Sequence, residues 1–104
     1  MAWHVAAKSC DLKEGEVLLR KAGGALVALY RLNGAPYATS GRCTHTGALL
    51  ADAYMEGECV ECPLHQALFH VPSGECRSTP CYPALQTFPV KEEAEEVLVS
   101  VPDA

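Results

Sequence analysis

The sequence has 104 residues, a hydrophobic share of 49% and a formal net charge of −5, from 13 acidic against 8 basic residues. One domain accounts for this length. Nucleic-acid affinity depends largely on clustered Lys and Arg, so the acidic balance predicts no nucleic-acid partner. Residues 1–8 contain neither a basic stretch nor a long apolar run. They predict no signal peptide, no membrane anchor and a cytoplasmic location.

The predicted elements are short strands, because Pro and Gly recur too often for long helices. In chain order, the pattern predicts a strand at residues 16–22, a turn at 23–24 and a second strand at 25–32. Asn33 and Gly34 are typical of a tight hairpin turn, with a further strand at 37–40.

Near the C-terminus, Val97, Val99 and Val101 alternate with Leu98 and Ser100, a pattern that predicts a half-buried strand. Residues 91–96 are mostly acidic and predict a solvated turn between the last two strands. The fold class is therefore all-β, as a sandwich of small antiparallel sheets.

Two short motifs each pair one cysteine with one histidine. They are Cys43-Thr44-His45 and Cys62-Pro63-Leu64-His65, with sixteen residues between His45 and Cys62. In a reducing compartment the six cysteines are better interpreted as metal ligands or small core residues than as a disulfide framework. Two loops of this kind present two thiolates and two imidazoles to a single site.

Three interpretations of this pattern compete. Chance proximity is one, although two matched pairs make it unattractive. A structural zinc site is the second, since Cys₂His₂ is a common zinc ligand set. Zinc fingers, however, group their cysteines together and their histidines together, whereas each loop here mixes one of each. This mixing favours the third interpretation, a binuclear iron–sulfur cluster with both thiolates on one iron and both imidazoles on the other.

Cys-x-His followed by Cys-x-x-His at this separation resembles the Rieske ferredoxin family. The similarity extends to residues 57–61 before the second motif, to 67–75 after it, to 11–16 and to the hairpin at Asn33 and Gly34. The resemblance implies one [2Fe–2S] cluster of the Rieske type, bound by Cys43, His45, Cys62 and His65. It also implies a Rieske fold: a single domain of residues 1–104, in which a cluster-binding subdomain (about 43–84) is inserted into a β-sandwich base domain (1–42 and 85–104).

The short members of the family that this chain resembles carry electrons. The resemblance therefore implies a soluble, monomeric ferredoxin, not an enzyme in itself, that takes electrons from an NAD(P)H-dependent flavin reductase. The electrons would pass to a terminal ring-hydroxylating dioxygenase of aromatic compound degradation. The alternative is a Rieske-like small subunit of an assimilatory nitrite reductase. Docking of partners is expected near Leu64, Gln66 and Pro80.

High-potential members of the family have an additional cysteine in each loop and a serine hydroxyl beside the cluster. Ala48, Leu64 and Ala67 stand at those positions here. Fewer hydrogen-bond donors to the sulfur atoms imply a reduction potential near the low end of the Rieske range, about −150 mV.

The remaining cysteines and histidines match no ligand spacing. Cys59 is expected to be a small hydrophobic residue of a strand, and Cys76 and Cys81 to be thiols rather than a disulfide. His4 and His70 are expected to lie on the surface or to be half-buried on strands.

Overall fold

The computed structural model describes residues 2–41, 54–61, 68–77 and 85–101. Within these ranges the chain consists of strands and one 3₁₀ turn, so the all-β prediction is confirmed. The elements are β1 (Ala2–Lys8), the 3₁₀ turn (Ser9–Asp11), β2 (Val17–Ala22), β3 (Ala25–Leu32), β4 (Ala35–Ser40), β5 (Tyr54–Glu56), β6 (Cys59–Glu61), β7 (Leu68–His70), β8 (Thr87–Phe88), β9 (Val90–Glu93) and β10 (Glu96–Val101). Across these ranges, no helix has the length and apolar character needed to cross a membrane.

The central sheet is antiparallel, with strand order β2-β3-β4-β8. The hairpin between β3 and β4 has Asn33 at a φ of 53° and Gly34 at 81°, as the sequence predicts. These left-handed conformations match the right-handed twist of the flanking strands. The turn between β2 and β3 falls at residues 23–24, also as predicted, and is closed by the Ala22–Ala25 pair.

Strand β3 is buried on both faces, which explains its almost unbroken apolar sequence. Successive side chains of a strand point to opposite faces. Val27 and Leu29 accordingly join one hydrophobic cluster, which we call the base core. Ala28, Tyr30 and Leu32 join a second cluster, the interlayer core.

The base core lies between the central sheet and a second sheet of order β1-β10-β9. Val97, Val99 and Val101 of β10 are fully buried in it, which confirms the alternating strand. The predicted turn at 91–96 is too long. Only Ala94 and Glu95, both at positive φ, form the turn, because residues 91–93 pair with β10 as part of β9.

The interlayer core lies between the other face of the central sheet and a third sheet, β5-β6-β7, whose strands have three residues each. Val60, Phe69 and Val71 supply the apolar side chains of this third layer, and none is more than 1% exposed. The third sheet is thus held to the rest of the molecule by one apolar face.

An ion pair between Arg31 and Glu92 connects parts of the chain that are distant in sequence. The Arg31 guanidinium donates to the Glu92 carboxylate through two nitrogens, at 3.0 and 2.8 Å, and its Nε donates to the Leu12 carbonyl oxygen at 2.7 Å. Hydrogen bonds from Arg31, and then from Ser9, hold the pKa of Glu92 at about 2. This bidentate contact joins β3, β9 and the segment after β1.

Candidate metal centre

The four predicted ligands lie outside the described residues, as do the predicted docking residues Leu64, Gln66 and Pro80. Cys43 and His45 belong to residues 42–53, and Cys62 and His65 belong to residues 62–67. We call these ranges the first and second ligand segments. What the structure does describe is where each segment joins the strands.

Three strand residues in one transverse row flank both ends of the second ligand segment and the C-terminal end of the first. Tyr54 follows the first segment, Glu61 precedes the second, and Leu68 follows the second. Glu61 pairs with Tyr54 on one side and with Leu68 on the other. Directly opposed residues of antiparallel strands are about 4.5–5.5 Å apart at Cα, so these attachment points lie within about 11 Å of one another. We call this row the cluster end of the third sheet.

The second ligand segment connects the antiparallel neighbours β6 and β7, which pair at Glu61 and Leu68. The first ligand segment begins after Gly41, whose N–H donates to the Leu26 carbonyl oxygen at 2.9 Å. Gly41 is buried, and a Cβ there would press on Leu19 and Leu26. The strand before the first segment therefore belongs to the central sheet, and the strand after it belongs to the third sheet.

A third stretch of chain leaves from the same row. The Arg77 N–H donates to the Leu68 carbonyl oxygen at 2.7 Å, so residues 78–84, which include Pro80, also begin at the cluster end. The topology thus attaches both Cys-His motifs, and the segment of one predicted docking residue, to one end of a single small sheet.

The strands of the cluster end are positioned by the interlayer core. Val60 of β6 and Phe69 of β7 form a cross-strand pair and both are fully buried. Beneath them lies Tyr30 of β3, whose hydroxyl shares a 2.8 Å hydrogen bond with Thr39 Oγ1. Burial is the main reason that the pKa of Tyr30 is raised well above its ordinary range.

The other histidines lie where the sequence predicts. His4 is on β1 and His70 is on β7, and both are half-buried. The His70 Nδ1 lies 2.9 Å from Ser73 Oγ, and its Nε2 lies 3.2 Å from Glu58 Oε1. These contacts join the turn between β5 and β6 to the turn after β7, at the end of the sheet opposite the cluster end.

The cysteines outside the ligand segments form no metal site among the residues that the structure describes. Cys10 is exposed, whereas Cys59 and Cys76 are half-buried, with Cys76 packed against the interlayer core. Across the described ranges, no group of three or more Cys, His, Asp or Glu side chains is arranged to hold a metal ion. Cys81 lies outside these ranges, so the expectation that Cys76 and Cys81 are thiols rather than a disulfide stays an untested prediction.

Two features of the described structure have no local signal in the sequence. The first is the contact of Glu92 with Arg31. The acidic run at 91–96 predicts only a solvated turn, and Arg31 lies 61 positions from Glu92 in the sequence. Gly74 is the second: the resemblance marks a turn there, but only the folded chain shows how closely another segment approaches it.

Comparison with known proteins supports this architecture. Residues 2–89 match the family model described as the Rieske [2Fe-2S] domain. The ferredoxin component of the naphthalene 1,2-dioxygenase/salicylate 5-hydroxylase systems of Ralstonia sp. is 40% identical over 99 residues, which cover 95% of each chain.

Solved structures agree with this comparison. The ferredoxin of Sphingomonas yanoikuyae B1 superposes with a TM-score of 0.87 at 29% identity, over 94% of this chain and 97% of that one. A chain of the complex of reduced oxygenase and oxidized ferredoxin in carbazole 1,9a-dioxygenase superposes with a TM-score of 0.86 at 33% identity, over 94% and 92%. The chain belongs to the Rieske [2Fe–2S] family, as an electron-transfer component that has a [2Fe–2S] cluster as its cofactor and is not itself a catalytic enzyme.

Proposed function

We propose that this chain carries single electrons from an NAD(P)H-dependent flavin reductase to the terminal oxygenase of an aromatic-ring dioxygenase system. In this proposal Cys43, His45, Cys62 and His65 bind the cluster. The observation that carries the proposal is the cluster end, where Tyr54, Glu61 and Leu68 attach both Cys-His segments to one row of the third sheet. The Ralstonia relative is the ferredoxin component of a dioxygenase system, and one of the similar structures is a complex of oxygenase and ferredoxin in carbazole 1,9a-dioxygenase.

The donor chemistry of the two segments fits a Rieske cluster. When bound, the cluster supplies a site that accepts and releases one electron. The two cysteine thiolates balance the charge of the oxidised iron and sulfide, and the two neutral imidazoles add none. A neutral centre accepts an electron more readily than the anionic centre that four thiolates produce, so the two histidines raise the potential.

The proposed subdomains, location, oligomeric state and docking residues are those that the sequence predicts. Residues 43–84 form the cluster-binding subdomain, and residues 1–42 and 85–104 form the base domain. The protein acts as a cytoplasmic monomer, and partners dock near Leu64, Gln66 and Pro80. The nitrite reductase alternative has no support among the relatives named above, which are described as ferredoxins and, in two cases, as parts of dioxygenase systems.

Metal content and ligand variants test the cluster assignment. Purified protein should contain about two irons and two acid-labile sulfides per chain. Cys43→Ser and Cys62→Ser should abolish the red-brown absorption, whereas the matched variants Cys10→Ser and Cys59→Ser should retain it. One zinc ion without sulfide, or loss of colour in the two control variants, would contradict the ligand set.

A reconstituted electron-transfer assay tests the partners. With NADH, a flavin reductase and a terminal aromatic-ring oxygenase, product should form only when this chain is added. Leu64→Glu and Gln66→Glu should slow both reduction and reoxidation. Lys13→Glu should not, because Lys13 is an exposed residue of the base, outside the cluster end. Tight co-purification with a large reductase, without transfer to any oxygenase, would overturn the shuttle.

A further inference from the structure

The chain after the second ligand segment forms β7 and then turns back along it. Residues 71–74 turn the chain, and residues 75–77 then run back antiparallel to β7. The His70 N–H donates to the Glu75 carbonyl oxygen, and the Arg77 N–H donates to the Leu68 carbonyl oxygen, each at 2.7 Å. One edge of β7 is thus fully occupied by its own return segment.

Gly74 ends the turn in a conformation that other residues rarely adopt, with a φ of 78°. It is buried, and its N–H donates to the His70 carbonyl oxygen at 2.6 Å. Its own carbonyl oxygen accepts a hydrogen bond from the Leu85 N–H at 2.8 Å. Gly74 is therefore bonded on one side to β7 and on the other side to the chain that enters β8.

The contact between Gly74 and Leu85 leaves no room for a side chain. A Cβ on Gly74 would collide with the backbone carbonyl oxygen of Leu85, and it would also lie 3.2 Å from the Thr87 Cγ2 atom. The Leu85 side chain is 2% exposed and belongs to the interlayer core together with Phe69 and Val71. Neither side of this contact moves without disturbing the packing that holds β7.

The same contact links the cluster end to the central sheet. Leu85 is followed by β8, which pairs with β4, and β4 leads directly into the first ligand segment. On the other side, β7 follows directly on the second ligand segment. The backbone contact at Gly74 therefore lies on a short path between the strands that carry the two segments.

We propose that Gly74 is a positioning residue for the cluster: its missing side chain permits the contact with Leu85 that fixes β7 relative to the central sheet. This inference rests on the proposed function, since it assumes that the cluster lies between the two ligand segments. A shift of β7 changes the orientation of one pair of ligands relative to the other. The property affected is the electronic environment of the cluster and not only the stability of the fold.

Gly57 provides a matched control for a substitution at Gly74. It lies in the turn between β5 and β6 of the same sheet and also has a positive φ, of 61°. A Cβ there would meet no atom within 4 Å. Gly57→Ala and Gly74→Ala therefore share the strain of an alanine in a left-handed conformation. Only Gly74→Ala adds the collision with Leu85.

The experiment compares both variants with the wild-type protein loaded with its cluster. Gly74→Ala should shift the g-values of the reduced cluster in electron paramagnetic resonance and its reduction potential. It should also slow reoxidation by the oxygenase severalfold, because β7 then holds its pair of ligands in a changed orientation. Gly57→Ala should match the wild type in all three measurements. Identical spectra and rates for the two variants would overturn the proposal.

Hydrogen exchange in the unmodified protein tests the contact without any substitution. If β7, its return segment and the Gly74–Leu85 contact open together, the amides of Leu85, Arg77 and His70 exchange at similar rates. Exchange of the Leu85 amide far faster than the other two would overturn the proposal, as would a Gly74→Ala chain that is unfolded while Gly57→Ala folds. These results are distinct from failure of the proposed function, in which the wild-type chain itself lacks iron or transfers no electrons.

Discussion

The two hydrophobic cores of this molecule share strand β3 but differ in what surrounds them. The base core lies between sheets whose long strands have six to eight residues, and β10 alone contributes three fully buried valines. The interlayer core is covered on its outer side by three strands of three residues each. Such short strands bury little apolar surface and make few ladder hydrogen bonds.

The comparison indicates that different interactions stabilise different parts of this electron carrier. The base is built from contacts that its own residues supply, including the Arg31–Glu92 ion pair. The third sheet packs through one apolar face, to which Val60, Phe69 and Val71 contribute. In the proposed function, a cluster bound by the two ligand segments provides a further connection. We therefore expect the base to be the independent folding unit and the third sheet to depend on the cluster.

Removing the cluster should have the largest effect, and it should be confined to one region. In the iron-free chain, the amides of Val60 and Phe69 should exchange at least about 100-fold faster, equivalent to about 3 kcal/mol of local opening free energy. The amides of Leu29 and Val99 should change little. Exchange-coupled mass spectrometry of both forms measures this. An equal loss of protection in both regions would show that the molecule folds as one unit.

The two phenylalanines of the sequence allow a direct comparison of the cores, since Phe69 belongs to the interlayer core and Phe88 to the base core. Truncation to alanine costs about 3–5 kcal/mol, so the milder Phe→Leu change is preferable in a small domain. Phe69→Leu and Phe88→Leu should each lower the free energy of unfolding by about 1–1.5 kcal/mol. Only Phe69→Leu should accelerate loss of cluster absorption in the presence of a chelator. Equal rates of cluster loss in Phe69→Leu and Phe88→Leu would show that the interlayer core does not hold the cluster more directly than the base core does.

Local chemistry made much of the fold predictable from sequence. Asn33 and Gly34 require left-handed backbone conformations, and the apolar run of β3 reflects burial on both faces. The two Cys-His motifs predict a shared site because each mixes the two ligand types. The Arg31–Glu92 contact was not predictable, since its partners are 61 positions apart and either residue alone resembles a surface charge. The approach of Leu85 to Gly74 likewise depends on tertiary packing and leaves no local pattern.

The ion pair of the base should contribute less than the cores. Glu92→Gln should cost about 1–2 kcal/mol, because it weakens a charge-assisted contact that is partly accessible to solvent. The control is Glu93→Gln, since Glu93 is 60% exposed and pairs with Lys91 at the surface. It should cost less than about 0.5 kcal/mol.

The acid dependence of this contribution follows from the pKa of Glu92, which lies at about 2 in the folded chain against an ordinary 4.5. A lowered folded-state pKa stabilises the protein fully above the unfolded pKa, and the effect is lost as the carboxylate is protonated. The difference between wild type and Glu92→Gln should therefore shrink as the pH falls from 4.5 towards 2. Denaturant titrations across this range measure it, and a difference independent of pH would exclude the ion pair as its source.

The smallest expected effect concerns Tyr30, where the central sheet meets the third sheet. Tyr30→Phe removes a buried hydrogen bond to Thr39 and should cost about 1 kcal/mol near neutral pH. Tyr37→Phe, at its half-buried cross-strand neighbour, is the control for loss of a phenol from the same sheet.

Burial raises the pKa of Tyr30 above its ordinary value of 10.0, so the unfolded chain loses this proton first. The stabilisation is therefore complete below pH 10 and declines above it. Wild type should lose stability relative to Tyr30→Phe as the pH rises beyond 10, and parallel curves for the two proteins would mean that the phenol is not buried between the layers.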